Sequence, residues 1–242
     1  MILHNKLAAW FGTSLGEEVL STETDLIREE VTDLFGYNAI QIGLCDLNLL
    51  RSNRITNKMF FGSDGRGDLI CNYQALPLGD EVVDLIVIPH LLEFSVNPHE
   101  VLNEMHRVLR PGGHMVISAF NPWSLWGGVR LVRKKGIPWE GQFISLPRLR
   151  DWLKLLDYDV VGGHVSVYRP PIANESVRKW FAFMDKAGPR WWPFMGGVYI
   201  LHVIKRVRNM SIVSRNWGKK FQASKTFPAT AKQSQQTGGD FR

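Results

Sequence analysis

Residues 82–88, VVDLIVI, form a nearly continuous apolar run that constrains the fold more than any other stretch. A strand with one wet face alternates apolar and polar residues, whereas an unbroken run of Val, Ile and Leu is typical of a parallel strand covered on both faces. The chain is therefore expected to contain a parallel β-sheet buried between layers of helices.

The segment after this run, NPHEVLNEMHRVLRPGG, predicts a helix with marked ends. Asn97 suits the N-cap, Pro98 suits the first helical position, and Glu100 completes a capping-box pattern. Pro111-Gly112-Gly113 predicts the end of the helix, and HMVISAF is the next strand. This strand–helix–strand unit predicts an α/β fold with a parallel sheet.

Weaker patterns complete the predicted order of elements. Residues 15–36 predict an N-terminal helix that ends at Gly36, and Asn174 is expected to begin a helix near the end of the chain. Further strands are predicted at AIQIG, KMFFGS and LICNY, and a helix followed directly by a strand at SLPRLRDWLKLLDYDVVGGHVSVY. VYILHVIKR is expected to be a last, antiparallel strand, because the connection before it is too short for a crossover.

The positive charge is concentrated at the C-terminus. The chain has a net charge of +6, but nine of its Lys and Arg and only one acid lie between Lys205 and Arg242. Residues 209–242 also hold few large apolar side chains, so they predict a disordered basic tail after a single domain at 1–208. Two interpretations of such a tail are open: it is merely solvated, or it holds nucleic acid or an anionic surface through phosphates.

Several classes of protein are disfavoured by composition. No apolar run approaches the roughly 18 residues of a membrane span, and the start, MILHNKLAAWFGTSLGEE, is not typical of a signal peptide. Two cysteines and seven histidines without an H-x-x-x-H pair give no metal motif. The sequence predicts a cytoplasmic, monomeric, metal-free protein.

Three stretches resemble the class I S-adenosylmethionine-dependent methyltransferases, most closely the bacterial methyltransferase type 11 group. They are LPLGDEVVDLIVIPHLLEF, NPHEVLNEMHRVLRPGGHMVISAFNP and LRDWLKLLDYDVV, and together the resemblance covers about residues 15–206. It implies a Rossmann-like three-layer sandwich with strand order 3-2-1-4-5-7-6 and an antiparallel strand 7. It also implies S-adenosyl-L-methionine as cofactor, over the carboxyl ends of strands 1, 2 and 4.

The glycine loop of this family is altered here. The resemblance aligns Gln41 with the family's acid and Gly43 with its first glycine, while Cys45 and Leu47 replace the second and third. The residues expected to line the cofactor pocket are Gln41, Gly43, Leu44, Asp64, Asn72, Tyr73, Ile88, Pro89 and His90. Asn72 is expected to accept a hydrogen bond from the adenine amine. An alternative is that the fold persists with the pocket closed.

His90 is the candidate catalytic residue, because a histidine just past strand 4 could take a proton from an acceptor. A purely structural histidine is the alternative. Residues 121–145 are predicted to be a substrate-side insertion, in which Trp123, Trp126 and Arg130 could form a lid, a membrane-surface patch, or a helix packed on the core.

The predicted function is methyl transfer from S-adenosylmethionine to an unidentified acceptor. The alternatives are a non-catalytic binding module that keeps the fold without the cofactor, and a nucleic-acid or membrane-associated adaptor led by the tail.

Overall fold

A computed structural model describes residues 2–62, 67–133, 135–172 and 174–207. Asp64 and the predicted tail at 209–242 lie outside the described residues, so the expectations placed on them stay predictions. Within the described part of the chain, no helix is both long enough and apolar enough to cross a membrane.

Seven strands form one sheet in the order β3-β2-β1-β4-β5-β7-β6. All neighbouring pairs are parallel except those of β7, which runs antiparallel to both β5 and β6. The strands are β1 (Asn38–Ile42), β2 (Asn57–Gly62), β3 (Leu69–Ile70), β4 (Val83–Pro89), β5 (Leu109–Phe120), β6 (Tyr158–Ser166) and β7 (Val198–Lys205). The predicted strand order and the antiparallel last strand are confirmed.

Seven helices and one short 3-10 turn accompany the sheet in the described residues. The helices are α1 (Ile2–Phe11), α2 (Ser14–Thr32), α3 (Pro98–Val108), α4 (Leu125–Val132), α5 (Leu146–Leu155), α6 (Glu175–Trp180) and α7 (Phe183–Trp191), and the turn is Leu92–Phe94. One face of the sheet packs against α3 and α5, and the other against α2. The sheet is therefore the middle of three layers, as predicted.

Three predicted details of the helices are wrong. The N-terminal helix ends at Thr32 with Asp33 as its C-cap, four residues before Gly36. Asn97 stands at the N-cap of α3 but its side chain makes no capping hydrogen bond, although Pro98 does begin the helix. The single helix expected after Asn174 is two, α6 and α7.

The Pro-Gly-Gly segment is part of a strand rather than a helix stop. Helix α3 ends at Val108, and β5 begins at once with Leu109. Val83 pairs with Leu109 and Leu85 with His114, so the register shifts between these pairs. The extra residues of β5 form a bulge, which is where a strand tolerates proline and glycine.

Helix α1 was not predicted, and it covers one edge of the sheet. Leu7 and Phe11 are buried in a cluster with Leu44, Phe120 and Trp126. These partners follow β1, end β5 and lie in α4. Because β1, β4 and β5 are parallel, α1 lies across their carboxyl ends.

Candidate functional site

The carboxyl ends of β1 and β4 bring most of the predicted cofactor residues together. The two strands are neighbours, with Gln41 paired to Val87. Gly43 and Leu44 follow β1, and His90 follows β4, where its backbone N–H donates to the carbonyl of Ser118 at 3.0 Å. Open α/β sheets place ligands at this edge.

The loop after β1 is closed around the side chain of Gln41, which is wholly buried. Its amide nitrogen donates to the carbonyl oxygens of Gly43, Leu44 and Leu47, at 3.3, 3.1 and 2.7 Å. Its amide oxygen accepts from the backbone N–H of Leu49 at 3.0 Å. One side chain thus fixes the whole loop in which the family's second and third glycines are replaced.

Two consecutive residues of this loop adopt left-handed backbone conformations. Gly43 has a φ of 83° and Leu44 a φ of 44°. Glycine adopts such a conformation without cost, whereas Leu44, which has a Cβ atom, is strained by it. The compensation is burial: the Leu44 side chain is 4% exposed and packs in the same cluster as Leu7 and Phe11.

His90 is buried between two carboxylates. Its Nε2 lies 2.9 Å from Oε2 of Glu23 on α2, and its Nδ1 lies 2.8 Å from Oε2 of Glu93 in the 3-10 turn. The other oxygen of Glu93 accepts from the backbone N–H of Phe120. All three side chains are at most 2% exposed, so α2, β4 and the 3-10 turn meet at one buried polar cluster, the Glu23–His90–Glu93 cluster.

The charges of this cluster follow from its geometry. Burial by itself would lower the pKa of His90, but the attraction of Glu23 and Glu93 outweighs it and raises that pKa to about 10. Burial raises the pKa of Glu93, against the attraction of His90. His90 is therefore an imidazolium at neutral pH, with both nitrogens donating.

A catalytic role for His90 stays a prediction. Both ring nitrogens are engaged by carboxylates, and the side chain has no exposed surface. Its backbone φ of 47° is an uncommon value for a residue other than glycine. The structural role is evident: His90 joins α2 to the end of β4.

Asn72 and Tyr73 lie after β3 and are more accessible than the β1 loop. Asn72 is exposed and Tyr73 is half-buried. The side-chain oxygen of Asn72 accepts from the backbone N–H of Gln74 at 3.1 Å. That oxygen has a second lone pair, so it can still accept from an adenine amine. The contact predicted between Asn72 and the adenine amine is therefore chemically feasible.

Glu104 and Arg107 form the i,i+3 ion pair that their spacing on α3 suggests. Arg107 Nη2 lies 2.6 Å from Glu104 Oε1, which also accepts from the backbone N–H of Leu76 at 2.6 Å. Arg107 donates in addition to the carbonyl oxygens of Leu76 and Leu78. The pair fixes the segment that leads into β4.

The three predicted substrate-side residues have different surroundings. Trp123 is 68% exposed, whereas Trp126 is 1% exposed and its indole donates to the carbonyl of Arg169 at 2.9 Å. Arg130 lies 5.1 Å from the ring centre of Phe143 and donates to the carbonyl of Trp139. Of the three, only Trp123 offers a large accessible surface.

The sequence reasoning missed Glu23, Leu7 and Phe11. For Glu23 a signal existed, because Val19, Glu23 and Ile27 follow each other at four-residue spacing and so share one face of α2. An acid on an otherwise apolar face requires a buried partner. For α1 the signal was weaker, since ten residues without marked caps rarely identify a helix.

The strand order and the three layers are those of the class I S-adenosylmethionine-dependent methyltransferase fold, as the resemblance seen in the sequence implies. A protein-family model described as a methyltransferase domain matches residues 54–117. The matched range runs from just before β2 into β5 and leaves out β1 and its loop.

Two curated relatives match part of the chain. The chain is 40% identical over 88 residues to the uncharacterised protein YafS of Escherichia coli, covering 36% of this chain and 37% of YafS. It is 37% identical over 87 residues to a malonyl-[acyl-carrier protein] O-methyltransferase of Methylococcus capsulatus, covering 36% of this chain and 30% of that protein. The matches thus span about a third of the length of these relatives.

Solved structures share the fold. A SAM-dependent methyltransferase from Archaeoglobus fulgidus superimposes with a TM-score of 0.54 at 15% identity, over 76% of this chain and 94% of that one. Geranyl diphosphate C-methyltransferase from Streptomyces coelicolor, in complex with S-adenosyl-L-homocysteine, gives 0.53 at 11% identity, over 76% and 78%. S-adenosylmethionine is the cofactor that the domain match and these structures indicate.

S-adenosylmethionine does not fit against β1 in the arrangement of the described residues. Gln41, Gly43, Ile88 and His90 are all buried by the protein itself, and Leu44 is covered by α1. Every polar group of Gln41 is already bonded within its loop. A bound methionine moiety would need the space that Leu44, Phe11 and their neighbours fill.

Proposed function

We propose that this chain is an S-adenosylmethionine-dependent methyltransferase, described here in a closed state in which α1 covers the cofactor edge. The observation that carries the proposal is the methyltransferase-domain match from just before β2 into β5, within a sheet of class I order. Helix α1 is the element that would have to move, because it covers Leu44 at this edge and its chain connection to α2 is only Gly12 and Thr13. The acceptor stays unassigned, since the matches cover only about a third of the relatives' length.

Titration of the full chain with S-adenosylhomocysteine tests the proposal. We expect binding in the micromolar range, about 7–8 kcal/mol, measured by calorimetry. Thermal stabilisation that grows with ligand concentration should accompany it, since a ligand that binds only the folded state stabilises that state. The absence of both binding heat and a thermal shift at millimolar ligand would contradict the proposal.

An Asn72→Ala variant tests the predicted adenine contact. Loss of one hydrogen bond should weaken S-adenosylhomocysteine binding by roughly 1 kcal/mol without unfolding an exposed turn. Asn72→Asp is the matched control, because it keeps an acceptor at the same place and should retain most of the affinity. Equal affinity in Asn72→Ala and the unchanged chain would remove Asn72 from the site.

A non-catalytic binding module is the second candidate, and the closed loop around Gln41 favours it. If the loop is permanently shut, the chain keeps the fold while the cofactor edge serves only as core. That candidate predicts that the ligand fails to bind even when α1 is loosened, which separates it from the closed enzyme.

A further inference from the structure

Of the ten described large apolar side chains that are at least 68% exposed, six lie in two segments of the chain. Residues 121–140 contribute Trp123, Leu131 and Val132, and residues 174–197 contribute Trp180, Trp191 and Phe194. These six side chains, here called the Trp rim, are between 68% and 87% exposed. Single exposed apolar residues are ordinary, but six of them, three being tryptophan, in two segments mark a surface that contacts something.

The two segments leave the same edge of the sheet. The first follows the end of β5, and the second lies between the end of β6 and the start of the antiparallel β7. They are also fastened to each other, because the Asn121 amide donates to the carbonyl oxygens of Phe194 and Gly196 at 2.7 and 3.0 Å. Trp123 and Phe194 border one cavity of about 570 Å³.

The same segments carry an excess of positive charge. Residues 121–140 have four basic residues and one acid, and residues 174–197 have four basic residues and two acids. The other residues up to position 204 have twelve basic and nineteen acidic side chains. The positive charge of the domain is thus concentrated beside the Trp rim, on an otherwise acidic body.

Several of these cations have no carboxylate partner. Among the described residues, Arg133, Lys135, Lys186 and Arg190 form no ion pair, and all four are exposed. Arg133, Lys135 and Val132 also border a shallow hollow of about 650 Å³. Unpaired cations next to exposed indoles are suited to a ligand that presents phosphates above an apolar layer.

We propose that the Trp rim docks on a lipid bilayer surface rich in anionic phospholipids. Indole rings prefer the headgroup level of a bilayer, where one end is wet and the body is apolar. Leu131 and Val132 would enter the acyl boundary, and the unpaired cations would meet the lipid phosphates. The contact is peripheral, and it is independent of whether the cofactor edge is open.

Two other occupants suit this surface less well. A second copy of the chain in a two-fold dimer would bring the unpaired cations of both copies into one interface, where like charges repel. RNA would use tryptophans for stacking, but the aliphatic Leu131 and Val132 have no stacking face to offer a base. The combination of aliphatic, indole and cationic side chains favours the bilayer.

Co-sedimentation of the full chain with vesicles tests the proposal. Vesicles of phosphatidylcholine mixed with phosphatidylglycerol should bind the chain and shift its tryptophan emission to the blue, whereas phosphatidylcholine alone should bind it at least about tenfold more weakly. The binding to mixed vesicles should weaken as salt is added. No sedimentation with mixed vesicles would overturn the proposal.

Two sets of variants locate the contact. Trp123→Ser combined with Trp191→Ser and Phe194→Ser, and separately Arg133→Glu with Lys135→Glu, should each reduce binding to mixed vesicles at least about tenfold. The matched apolar control is Phe35→Ser with Tyr37→Ser, which are 70% and 75% exposed and precede β1 at the opposite edge. The matched charge control is Arg51→Glu with Arg54→Glu, and both controls should bind as the unchanged chain does.

Other outcomes would assign the surface differently. Unchanged vesicle binding in the rim variants would show that another part of the chain, such as residues 208–242, makes the contact, and would overturn the proposal. So would a dimer in sedimentation velocity that the rim substitutions convert to a monomer. Loss of RNA binding without loss of vesicle binding would overturn it equally. Circular dichroism confirms that each variant is folded.

Discussion

A variant with Leu7→Ala and Phe11→Ala is expected to bind S-adenosylhomocysteine at least about tenfold more tightly than the unchanged chain. Both side chains are buried against Leu44 and Phe120, and truncating a buried Leu or Phe typically costs about 2–5 kcal/mol. That cost falls on the closed state alone. A ligand that binds only the open state gains affinity in proportion to the open population, and tenfold corresponds to about 1.4 kcal/mol.

The controls separate opening from general destabilisation. Leu153→Ala truncates a buried side chain in the core that α3 and α5 form with the sheet. It should lower the melting temperature without raising the affinity for S-adenosylhomocysteine. Lys6→Ala removes only a surface ion pair of α1 with Glu140, at 3.7 Å, and should change both quantities little. If the double variant and the unchanged chain bind S-adenosylhomocysteine equally well, α1 does not block the entry of the ligand. If neither binds, the non-catalytic module is the better description.

A His90→Asn variant is expected to lose about 3–5 kcal/mol of stability near pH 6, because it leaves Glu23 and Glu93 buried without a cation. The pKa of His90 is about 10 in the folded chain and near 6.5 in an unfolded one. A raised folded pKa stabilises fully below the unfolded value and loses its effect as pH rises through the folded value. The difference between variant and unchanged chain should therefore be largest near pH 6 and shrink toward pH 10.

Urea unfolding at several pH values between 6 and 10 measures this difference. His99→Asn is the matched control, since His99 is an exposed histidine of α3 whose ring lies tilted against Trp152, with ring centres 3.9 Å apart. It should change stability little and without this pH trend. A His90→Asn effect below about 1 kcal/mol, or one that does not vary with pH, would show that His90 is not a buried imidazolium.

The parts of the fold that the sequence predicts are those in which local chemistry and tertiary structure agree. The apolar run at 82–88 is buried on both faces because the helical layers cover it, so its composition alone identifies the strand. Pro98 begins α3 because proline suits a first helical turn. The Pro-Gly-Gly segment was misplaced because a bulge and a helix stop use the same residues, and only strand pairing distinguishes them.

The site was harder to predict, because its contacts are far apart in sequence. His90 and Glu23 are 67 residues apart, and their contact depends on how α2 lies on the sheet. The replaced glycines were visible in the sequence, but the way in which Gln41 fixes the loop was not. Local patterns report the backbone well, whereas polar clusters between distant elements require the tertiary arrangement.

The amide side chain of Gln41 limits which residues can replace it during evolution. The loop needs one group that donates to three carbonyl oxygens and accepts from one N–H, and a carboxylate can only accept. The acid that the resemblance places at this position would put a carboxylate oxygen against these carbonyl oxygens, and the negative charges would repel each other. This folded loop and the family's acidic residue are therefore mutually exclusive, and a lineage passing from one to the other must cross an unfavourable intermediate or change Gln41 together with the residues around it.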